Sequence, residues 1–325
     1  MKILVTGGAG FIGSHFIKRH LAHHLRDEII NLDSLTYAGN LANLAEVEKS
    51  PRYSFVKGDI RDLVRPEWQR ALAEVSVIVH FAAETHVDRS LVFANDFIQT
   101  NIQGTFSLLE AARKAKVARF IHISTDEVYG PVPVGMTTEE SRFDPSSPYA
   151  ASKAAAEHMV MSFWHTYNYP VLITRCANNY GPYQYPEKFL PLCITNALED
   201  KPLPIYGDGK NVRNWIDVRD HCQAIEDVLH GGRPGRAYNI AGQGDWSNIF
   251  IAKSILQYLG KPQSLIKYVE DRAGHDVRYA PDCSRIQEEL GWQAESHFML
   301  QLPALIEWYK ANEAWWRPLK EAKNA

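Results

Sequence analysis

The 325-residue sequence has few cysteines, no long apolar run and no marked excess of either charge. Its four cysteines, Cys176, Cys193, Cys222 and Cys283, are scattered without disulfide or metal-ligand spacing, which predicts a reducing compartment and no metal centre. No stretch approaches the roughly 20 apolar residues of a membrane span. A formal net charge of −3 gives no basic surface for nucleic acid. These absences predict a cytoplasmic protein that binds neither nucleic acid nor membrane.

What the sequence does contain is a glycine-rich turn near its start. An apolar run leads into Gly7, Gly10 and Gly13, and an amphipathic segment follows. In a strand–turn–helix unit the first glycine permits the turn, the second lets a pyrophosphate approach the backbone, and the third lets the helix pack closely. The helix N-terminus, with Phe11 and Ile12, then offers N–H groups and partial positive charge to phosphates. The pattern predicts a dinucleotide site.

A carboxylate follows the second apolar run at the distance that such a site requires. Asp33 ends the run 28–32, about 20 residues after the glycines. A carboxylate here can accept hydrogen bonds from the adenosine ribose and would repel a 2′-phosphate. Asp33 therefore favours NAD over NADP as the cofactor. The alternative, a glycine-rich hairpin beside a surface aspartate, does not explain why strand, glycines, helix and acid fall in register.

Short apolar runs recur along the first 180 residues and alternate with helical patterns. They lie at 53–56, 75–81, 120–123 and 171–174, and 238–240 looks like a strand that returns to the same sheet. Such runs suit strands buried on both faces, and their alternation with helices implies a parallel sheet with right-handed crossovers. We predict an α/β protein with a Rossmann-type doubly wound parallel sheet, whose ligands bind at the carboxyl ends of the strands.

The alternation stops near residue 180, where prolines become frequent. We predict an NAD-binding domain at 1–180 with a returning segment at about 216–241. A smaller, discontinuous C-terminal substrate lobe would comprise 181–215 and 242–325. A helix near the end is predicted from the apolar spacing of Leu302, Leu305, Ile306 and Tyr309.

The clearest catalytic signal is a tyrosine and a lysine four residues apart. Tyr149 and Lys153 are neighbours on one helical face, and the ammonium is expected to lower the tyrosine pKa from about 10 by stabilising the phenolate. The phenolate can then remove a hydroxyl proton while the carbon gives hydride to a nicotinamide. A plain helical pair is the alternative, and the glycine turn argues against it.

A hydroxyl and two acids follow the run 120–123. Thr125, Asp126 and Glu127 begin where that predicted strand ends, about 20 residues before Tyr149. A simple alcohol oxidation needs a hydroxyl here but no carboxylates, so two adjacent acids suggest an additional acid–base step. The spacing alone leaves open that both acids are solvated loop residues.

Together these motifs resemble the extended short-chain dehydrogenase/reductase superfamily and, within it, the dTDP-glucose 4,6-dehydratases. The triplet 125–127 is the most specific feature, because related epimerases and decarboxylases carry the tyrosine and lysine but lack the Asp-Glu pair. The matching stretches run from end to end of the chain, at 6–13, 33–40, 82–90, 124–130, 149–153, 178–183, 186–188, 207–213, 271–276 and 313–316.

The resemblance implies a lyase that dehydrates a nucleotide-linked hexose, with dTDP-glucose as the first candidate. Tyr149, helped by Lys153, would deprotonate the C4 hydroxyl, while Thr125 binds the C4 oxygen. Glu127 would remove the C5 proton, which the C4 ketone makes acidic, and Asp126 would protonate the departing C6 hydroxyl. NAD would be regenerated in each turnover, and the product would be a nucleotide 4-keto-6-deoxyhexose.

The resemblance also implies binding residues. Asp59 and Ile60 match positions that contact the adenine of NAD. The matching positions near the nucleotide sugar are Asn178, Lys188, Pro204, Tyr206, Arg213 and Arg272. An arginine suits a diphosphate because its planar guanidinium can make two parallel hydrogen bonds.

The resemblance further implies a C2 homodimer, since family members commonly pair two helices from each subunit. The candidate helices are roughly 94–115, which carries Phe97, Leu108 and Leu109, and 150–168. The alternative is that these apolar residues all belong to the internal core of one chain.

Departures from the family pattern are concentrated in the predicted substrate lobe, at Asn214, Asp217, Gly244 and Asp245. They leave the chemistry intact but leave open the nucleotide and the hexose, so a UDP-linked or N-acetylated sugar is an alternative substrate. A nucleotide-sugar 4-epimerase or decarboxylase is the alternative enzyme, against which the acid pair argues. A non-catalytic NAD-binding module is the alternative of a different class.

The role given to Asp33 leads to a testable prediction. Cofactor-free protein should bind NAD much more tightly than NADP, because the carboxylate would face the 2′-phosphate. Fluorescence titration with both dinucleotides measures the difference. Equal affinities would contradict the role of Asp33.

Overall fold

A seven-stranded parallel sheet lies at the centre of the computed structural model, which describes residues 1–63 and 72–322. The strands are, in chain order, β1 (Lys2–Thr6), β2 (Glu28–Asp33), β3 (Tyr53–Lys57), β4 (Val77–His80), β5 (Arg119–Thr125), β6 (Val171–Cys176), β7 (Asn178–Tyr180), β8 (Leu203–Tyr206), β9 (Val212–Asp217), β10 (Ala237–Ile240), β11 (Asp245–Ser247) and β12 (Ile266–Val269). The central order is β3-β2-β1-β4-β5-β6-β10. The prediction of a doubly wound Rossmann-type sheet is confirmed.

The helices flank this sheet or build the C-terminal part. They are α1 (Phe11–His23), α2 (Val87–Val92), α3 (Ala94–Phe97), α4 (Thr105–Lys114), α5 (Pro148–Tyr167), α6 (Phe189–Leu198), α7 (Val218–Gly231), α8 (Asn248–Tyr258), α9 (Ser284–Leu290), α10 (Phe298–Ala311) and α11 (Glu313–Ala322). A π-helical segment, Ile98–Gly104, joins α3 to α4. None of the described helices is both long and apolar enough to cross a membrane.

The apolar runs form the centre of the sheet because both of its faces are covered. Every residue of β4 and β6 is buried. One apolar cluster packs α1 and α7 against one face, and a second packs α4 and α5 against the other. The strand predicted to return, β10, pairs in parallel with β6. Because all seven strands run in the same direction, their carboxyl ends meet along one edge of the sheet.

The C-terminal part has its own apolar core. It contains two small sheets, in the orders β11-β9-β7 and β12-β8. The residues predicted to form a buried helical face lie on α10 and are all buried: Leu302, Leu305, Ile306 and Tyr309. They pack with α6 and α8 in a third cluster.

The residues proposed for the dimer interface require a correction. Phe97, Leu108 and Leu109 are 1%, 0% and 0% exposed in the single chain. Leu108 and Leu109 belong to the apolar cluster that packs α4 and α5 against the sheet. Apolar residues at helical spacing give the same sequence pattern for a core and for an interface, and here the core accounts for all three.

Candidate active site

A cavity of about 580 Å³ lies at the carboxyl edge of the central sheet. Most of the sequence-predicted residues line it: Gly7, Gly10, Phe11, Ile12, Gly13, Asp33, Asp59, Ile60, Thr125, Asp126, Glu127, Tyr149, Lys153, Asn178 and Lys188. Residues from both halves of the chain therefore meet in one space. Pro204, Tyr206, Arg213 and Arg272 are not among its lining residues.

The glycine turn forms one wall of the cavity. Gly7 has a φ of +72°, and a Cβ there would lie 2.6 Å from the backbone nitrogen of Ala82. A Cβ at Gly13 would lie 2.5 Å from the Gly7 carbonyl oxygen, whereas a Cβ at Gly10 would meet only that oxygen, at 3.2 Å. A side chain at Gly7 or Gly13 would therefore collide with the protein's own backbone. Gly10 is less crowded by the protein, and the absence of a side chain there leaves room for an approaching ligand.

The N-terminus of α1 is suited to an anion. It has neither a side-chain cap nor an acidic residue in its first turn among the described residues. Its first N–H groups have no intrahelical partner and carry partial positive charge. A dinucleotide pyrophosphate fits this arrangement.

Asp33 is held rigidly at the end of β2. Its two carboxylate oxygens accept hydrogen bonds from the N–H groups of Ala9, at 2.9 Å, and Leu35, at 2.8 Å. Burial raises its pKa, and these two bonds counteract that increase. Nearby, Asp59 accepts a hydrogen bond from the N–H of Arg61 at 2.8 Å and caps the turn that carries Ile60.

Tyr149 and Lys153 lie on the first turns of α5. Ser147 caps this helix by accepting a hydrogen bond from the Ala150 N–H at 3.1 Å, and Pro148 occupies its first position. The Lys153 ammonium donates to the carbonyl oxygen of Ile123 at 2.8 Å. Burial lowers the pKa of Lys153 to about 8.

The predicted effect of Lys153 on the tyrosine is wrong for the free protein. Burial, followed by the charge of Glu127, raises the pKa of Tyr149 well above its usual range. The Lys153 ammonium is directed to the β5 backbone, and His122 lies 3.4 Å from it. The spacing of four residues places the two side chains on one face but does not decide where the ammonium points.

Asp126 and Glu127 form a 3-10 turn directly after β5, with Thr125 as its cap. Burial and the neighbouring Glu127 charge raise the pKa of Asp126 well above its usual range. Burial also raises the pKa of Glu127, but the positive charges of Arg272, Arg213 and Lys188 oppose the increase. The pKa values of both acids are raised, that of Asp126 well above its usual range, so Asp126 holds a proton more readily than Glu127.

The remaining predicted substrate residues lie beside the cavity. Arg213 is buried, stacks on the Tyr279 ring at 4.5 Å and donates to the Asp276 carbonyl oxygen at 2.8 Å. Pro204 and Tyr206 lie on β8, in the sheet with β12. Arg272 reaches an oxygen of Asp88 at 3.4 Å, and its charge acts on Glu127 as described above.

Sequence reasoning gave no role to Asp88 and His122. Asp88 contacts Arg272 and also accepts a 2.9 Å hydrogen bond from the Tyr206 hydroxyl, so it joins two candidate substrate residues to α2. His122 lies beside Lys153, with its Nε2 3.4 Å from the ammonium. Asp88 falls within the matching stretch 82–90, which was its one signal, whereas His122 sits inside a buried strand and gave none.

The four departures from the family pattern have structural contacts. Asn214 exchanges hydrogen bonds with Gly242 and also reaches Asp245 at 3.1 Å. Asp217 caps α7 by accepting from the Arg219 N–H at 2.8 Å. Asp217, Gly244 and Asp245 do not line the main cavity, and neither does Asn214. They brace the C-terminal part of the chain rather than the space where the chemistry is predicted.

A parallel sheet of this order, with a glycine turn, a tyrosine–lysine pair and an acid pair on one cavity, defines a dinucleotide-dependent enzyme of the extended short-chain dehydrogenase/reductase class. Comparison with known proteins narrows this class. A family model described as GDP-mannose 4,6 dehydratase matches residues 4–302. A dTDP-glucose 4,6-dehydratase of Streptomyces niveus is 47% identical, over 100% of this chain and 97% of that protein.

Solved structures agree with the sequence comparison. The dTDP-glucose 4,6-dehydratase DesIV of Streptomyces venezuelae, solved with NAD bound, is 50% identical with a TM-score of 0.94, covering 98% of this chain and 100% of that one. A UDP-glucuronic acid 4-epimerase of Bacillus cereus has a TM-score of 0.89 at 29% identity, with 96% and 99% covered. The chain therefore belongs to the dTDP-glucose 4,6-dehydratase family, within the broader family of the GDP-mannose 4,6 dehydratase model.

The charges around Glu127 lead to a prediction about pH. Glu127 can act as a base only when ionised, and Arg272 is the strongest of the groups that lower its pKa. Arg272→Gln should raise the Glu127 pKa further and shift the acid limb of the kcat/KM profile for the dehydration to higher pH. kcat/KM is the appropriate measurement because it reports the free enzyme.

The matched control is Arg278→Gln. Arg278 belongs to the same part of the chain, but its guanidinium pairs with Asp245 at 3.2 Å and is not among the charges acting on Glu127. The acid limb of the kcat/KM profile of Arg278→Gln should lie at the same pH as that of the unmodified enzyme. An unshifted limb in Arg272→Gln would show that another group controls it.

Proposed function

We propose that the protein is an NAD-dependent dTDP-glucose 4,6-dehydratase. The observation that carries this proposal is the turn Thr125-Asp126-Glu127 on the same cavity as Tyr149 and Lys153. A hydride-transfer enzyme that only oxidises an alcohol has no need of a protonated acid beside a second carboxylate. Elimination of water from C5 and C6 requires both a base and an acid. Two acids biased apart in this way are suited to these two roles.

Tyr149 and Lys153 are proposed to act on C4 of the sugar. Bound NAD supplies the acceptor and donor of hydride. Tyr149 removes the proton of the C4 hydroxyl, and Lys153, whose ammonium donates to the Ile123 carbonyl oxygen, lines the same cavity beside it. Thr125 hydrogen-bonds the C4 oxygen; its side chain also hydrogen-bonds Tyr149, which lowers the pKa of the phenol against the effect of burial.

Glu127 and Asp126 are proposed to act on C5 and C6. Glu127 lies among three cations that favour its ionised form, so it removes the C5 proton. Burial raises the pKa of Asp126 well above its usual range, so Asp126 is the acid that protonates the departing C6 hydroxyl. After water has left, the proton that Glu127 holds returns to C5, and C6 would receive hydride back from the reduced cofactor, which regenerates NAD. The product is the 4-keto-6-deoxyhexose still attached to its nucleotide.

The cofactor and substrate would occupy adjoining parts of the site. Gly7, Gly10, Phe11, Ile12 and Gly13 would hold the pyrophosphate of NAD. Asp33 would bind the adenosine ribose, and Asp59 with Ile60 would contact the adenine. Asn178, Lys188, Arg213 and Arg272 would bind the sugar and its diphosphate, and Pro204 with Tyr206 would contact the nucleotide base. We retain the division into an NAD-binding domain at 1–180 with 216–241 and a substrate lobe at 181–215 and 242–325.

The alternatives differ in substrate or in reaction. A nucleotide-sugar 4-epimerase shares the fold, as the Bacillus cereus structure shows, so the fold alone does not separate the two activities. A panel of dTDP-, UDP-, GDP- and CDP-hexoses with mass spectrometry of the products separates them. Loss of water from dTDP-glucose supports the proposal, and isomerisation without loss of mass would favour the epimerase.

Replacing the proposed base separates the two halves of the mechanism. Glu127→Gln leaves Tyr149 and Lys153 untouched, so oxidation at C4 should still occur. Removal of the C5 proton should slow by roughly the 10²–10⁴-fold typical of losing a general acid or base. Reduced cofactor should therefore accumulate in a single turnover, seen as near-ultraviolet absorbance. Elimination at the normal rate would falsify the assignment of Glu127.

Tyr149→Phe is the matched variant for the first half. It removes only the hydroxyl that accepts the C4 proton, so no reduced cofactor should appear after mixing with excess dTDP-glucose. Accumulation of reduced cofactor in this variant would remove Tyr149 from the C4 step.

We also propose that the enzyme is a C2 homodimer in the cytoplasm. The four cysteines are free thiols, which supports a reducing compartment. Val92, Phe93 and Ile98 are 72%, 56% and 49% exposed, and large apolar residues exposed so close together in sequence support a protein contact. Ile98 lies within the segment 94–115 proposed from the sequence, and Val92 and Phe93 directly precede it.

The homodimer is tested by light scattering at micromolar concentration. The chain should have twice its monomer mass, and Phe93→Asp with Ile98→Asp should reduce that mass by half because charges replace the proposed contact. Exposed Val134→Asp, outside this segment, serves as the control. A monomer mass for the unmodified chain would contradict the proposal.

A further inference from the structure

A second cluster of polar side chains lies at the other end of α1. His20 on α1 and His24 just after it face Glu226 of α7. One ligand atom from each residue lies within 4.8 Å of the others. At 1.5 Å per residue, His24 is roughly 20 Å along the helix axis from the glycine turn. The cluster is therefore separate from the cavity in which the dehydration is proposed.

The ligand atoms are close enough for a shared ion, although the His20 and His24 rings stack 4.2 Å apart at 19° and one of them must turn for both nitrogens to face it. Nδ1 of His20 and Nε2 of His24 lie 3.3 and 3.8 Å from Oε1 of Glu226. Ligand atoms bound about 2.0–2.1 Å from a tetrahedral zinc ion are about 3.3 Å apart. His20 and Glu226 are 0% and 5% exposed, and neither of these two atoms has another hydrogen-bond partner among residues 1–63 and 72–322.

The groups behind the cluster orient its ligands. Nε2 of His20 lies 3.1 Å from a carboxylate oxygen of Asp27, which fixes Nδ1 as the ring atom facing Glu226. Metal-binding histidines almost always donate their second nitrogen to a carboxylate, a backbone carbonyl or water. Arg19 donates to Oε2 of Glu226 at 2.7 Å, so Oε1 is the oxygen that remains available.

We propose that His20, His24 and Glu226 bind a divalent transition-metal ion, with zinc as the reference ion. Two imidazoles and one carboxylate form a recognised zinc ligand set that leaves a position for water, and imidazole also suits cobalt and nickel. His24 is partly exposed, which gives the ion a route from solvent. The ion would join α1 to α7 and stabilise the packing of the two helices.

The sequence predicted no metal centre because its four cysteines lack metal-ligand spacing. His20 and His24 are one helical turn apart, but Glu226 lies on a helix far along the chain, and only the fold brings the three together. An ion pair network is the other explanation, in which a protonated His20 bridges Asp27 and Glu226 without metal. Metal binding distinguishes the two.

The test uses tag-free, chelator-treated full-length protein and zinc chloride alone. Isothermal titration should show one zinc ion per chain, and zinc should raise the melting temperature. Cobalt should give the visible absorption of a low-symmetry site. His24→Ala should weaken zinc binding by at least about 10-fold, and Glu226→Gln should do the same. His24 is the primary target since its partly exposed position makes loss of folding less of a concern.

His23→Ala is the matched control, because His23 lies on the same helix and instead bonds the Arg19 carbonyl oxygen. It should keep the affinity, the thermal shift and the cobalt spectrum. No zinc binding by the unmodified chain would overturn the proposal and leave the ion-pair network. Equal weakening by His23→Ala and His24→Ala would also overturn it, as would binding unaffected by His24→Ala. Dehydration activity is not the readout, so this result stands apart from the proposed function.

Discussion

Burial of ionisable groups is the constraint on which the candidate active site depends. Tyr149, Lys153 and Asp126 are all buried at the carboxyl edge of the sheet. Removing such groups from water disfavours their charged forms, so the pKa values of Tyr149 and Asp126 rise while that of Lys153 falls. Glu127 is less buried and lies among cations. The fold therefore distributes protons unequally over neighbouring groups.

A buried ion pair keeps the helix that carries Tyr149 in place. Arg175 of β6 pairs with Glu157 of α5 at 2.7 Å, and both side chains are almost fully buried. The same guanidinium donates to the hydroxyl of Tyr129, at the end of the acid turn, at 2.7 Å. Removing one partner of such a pair typically costs about 3–5 kcal/mol because the other charge is left uncompensated. One arginine thus joins the strand, the catalytic helix and the acid turn.

The sequence predicted those features whose pattern has a single structural meaning. Strands such as β4 and β6, buried on both faces, were recognisable because few other structures require continuous apolar runs. The predictions that were wrong came from sequence patterns that are compatible with two different structures. Leu108 and Leu109 suit a core as well as an interface, and the spacing of Tyr149 and Lys153 does not say where an ammonium points. The proximity of Glu226 to His20 could not be predicted, because it depends on α7 packing beside α1 in the folded chain.

The contacts of Asp88 suggest how the two parts of the chain cooperate. Asp88 holds Arg272 at 3.4 Å in a partly exposed position, and such a pair contributes little stability. If Arg272 binds the diphosphate as proposed, exchanging Asp88 for it costs little. A bound diphosphate would neutralise the charge that now lowers the pKa of Glu127. Glu127 would then become a stronger base when the nucleotide is in place, because the same arginine acts on both.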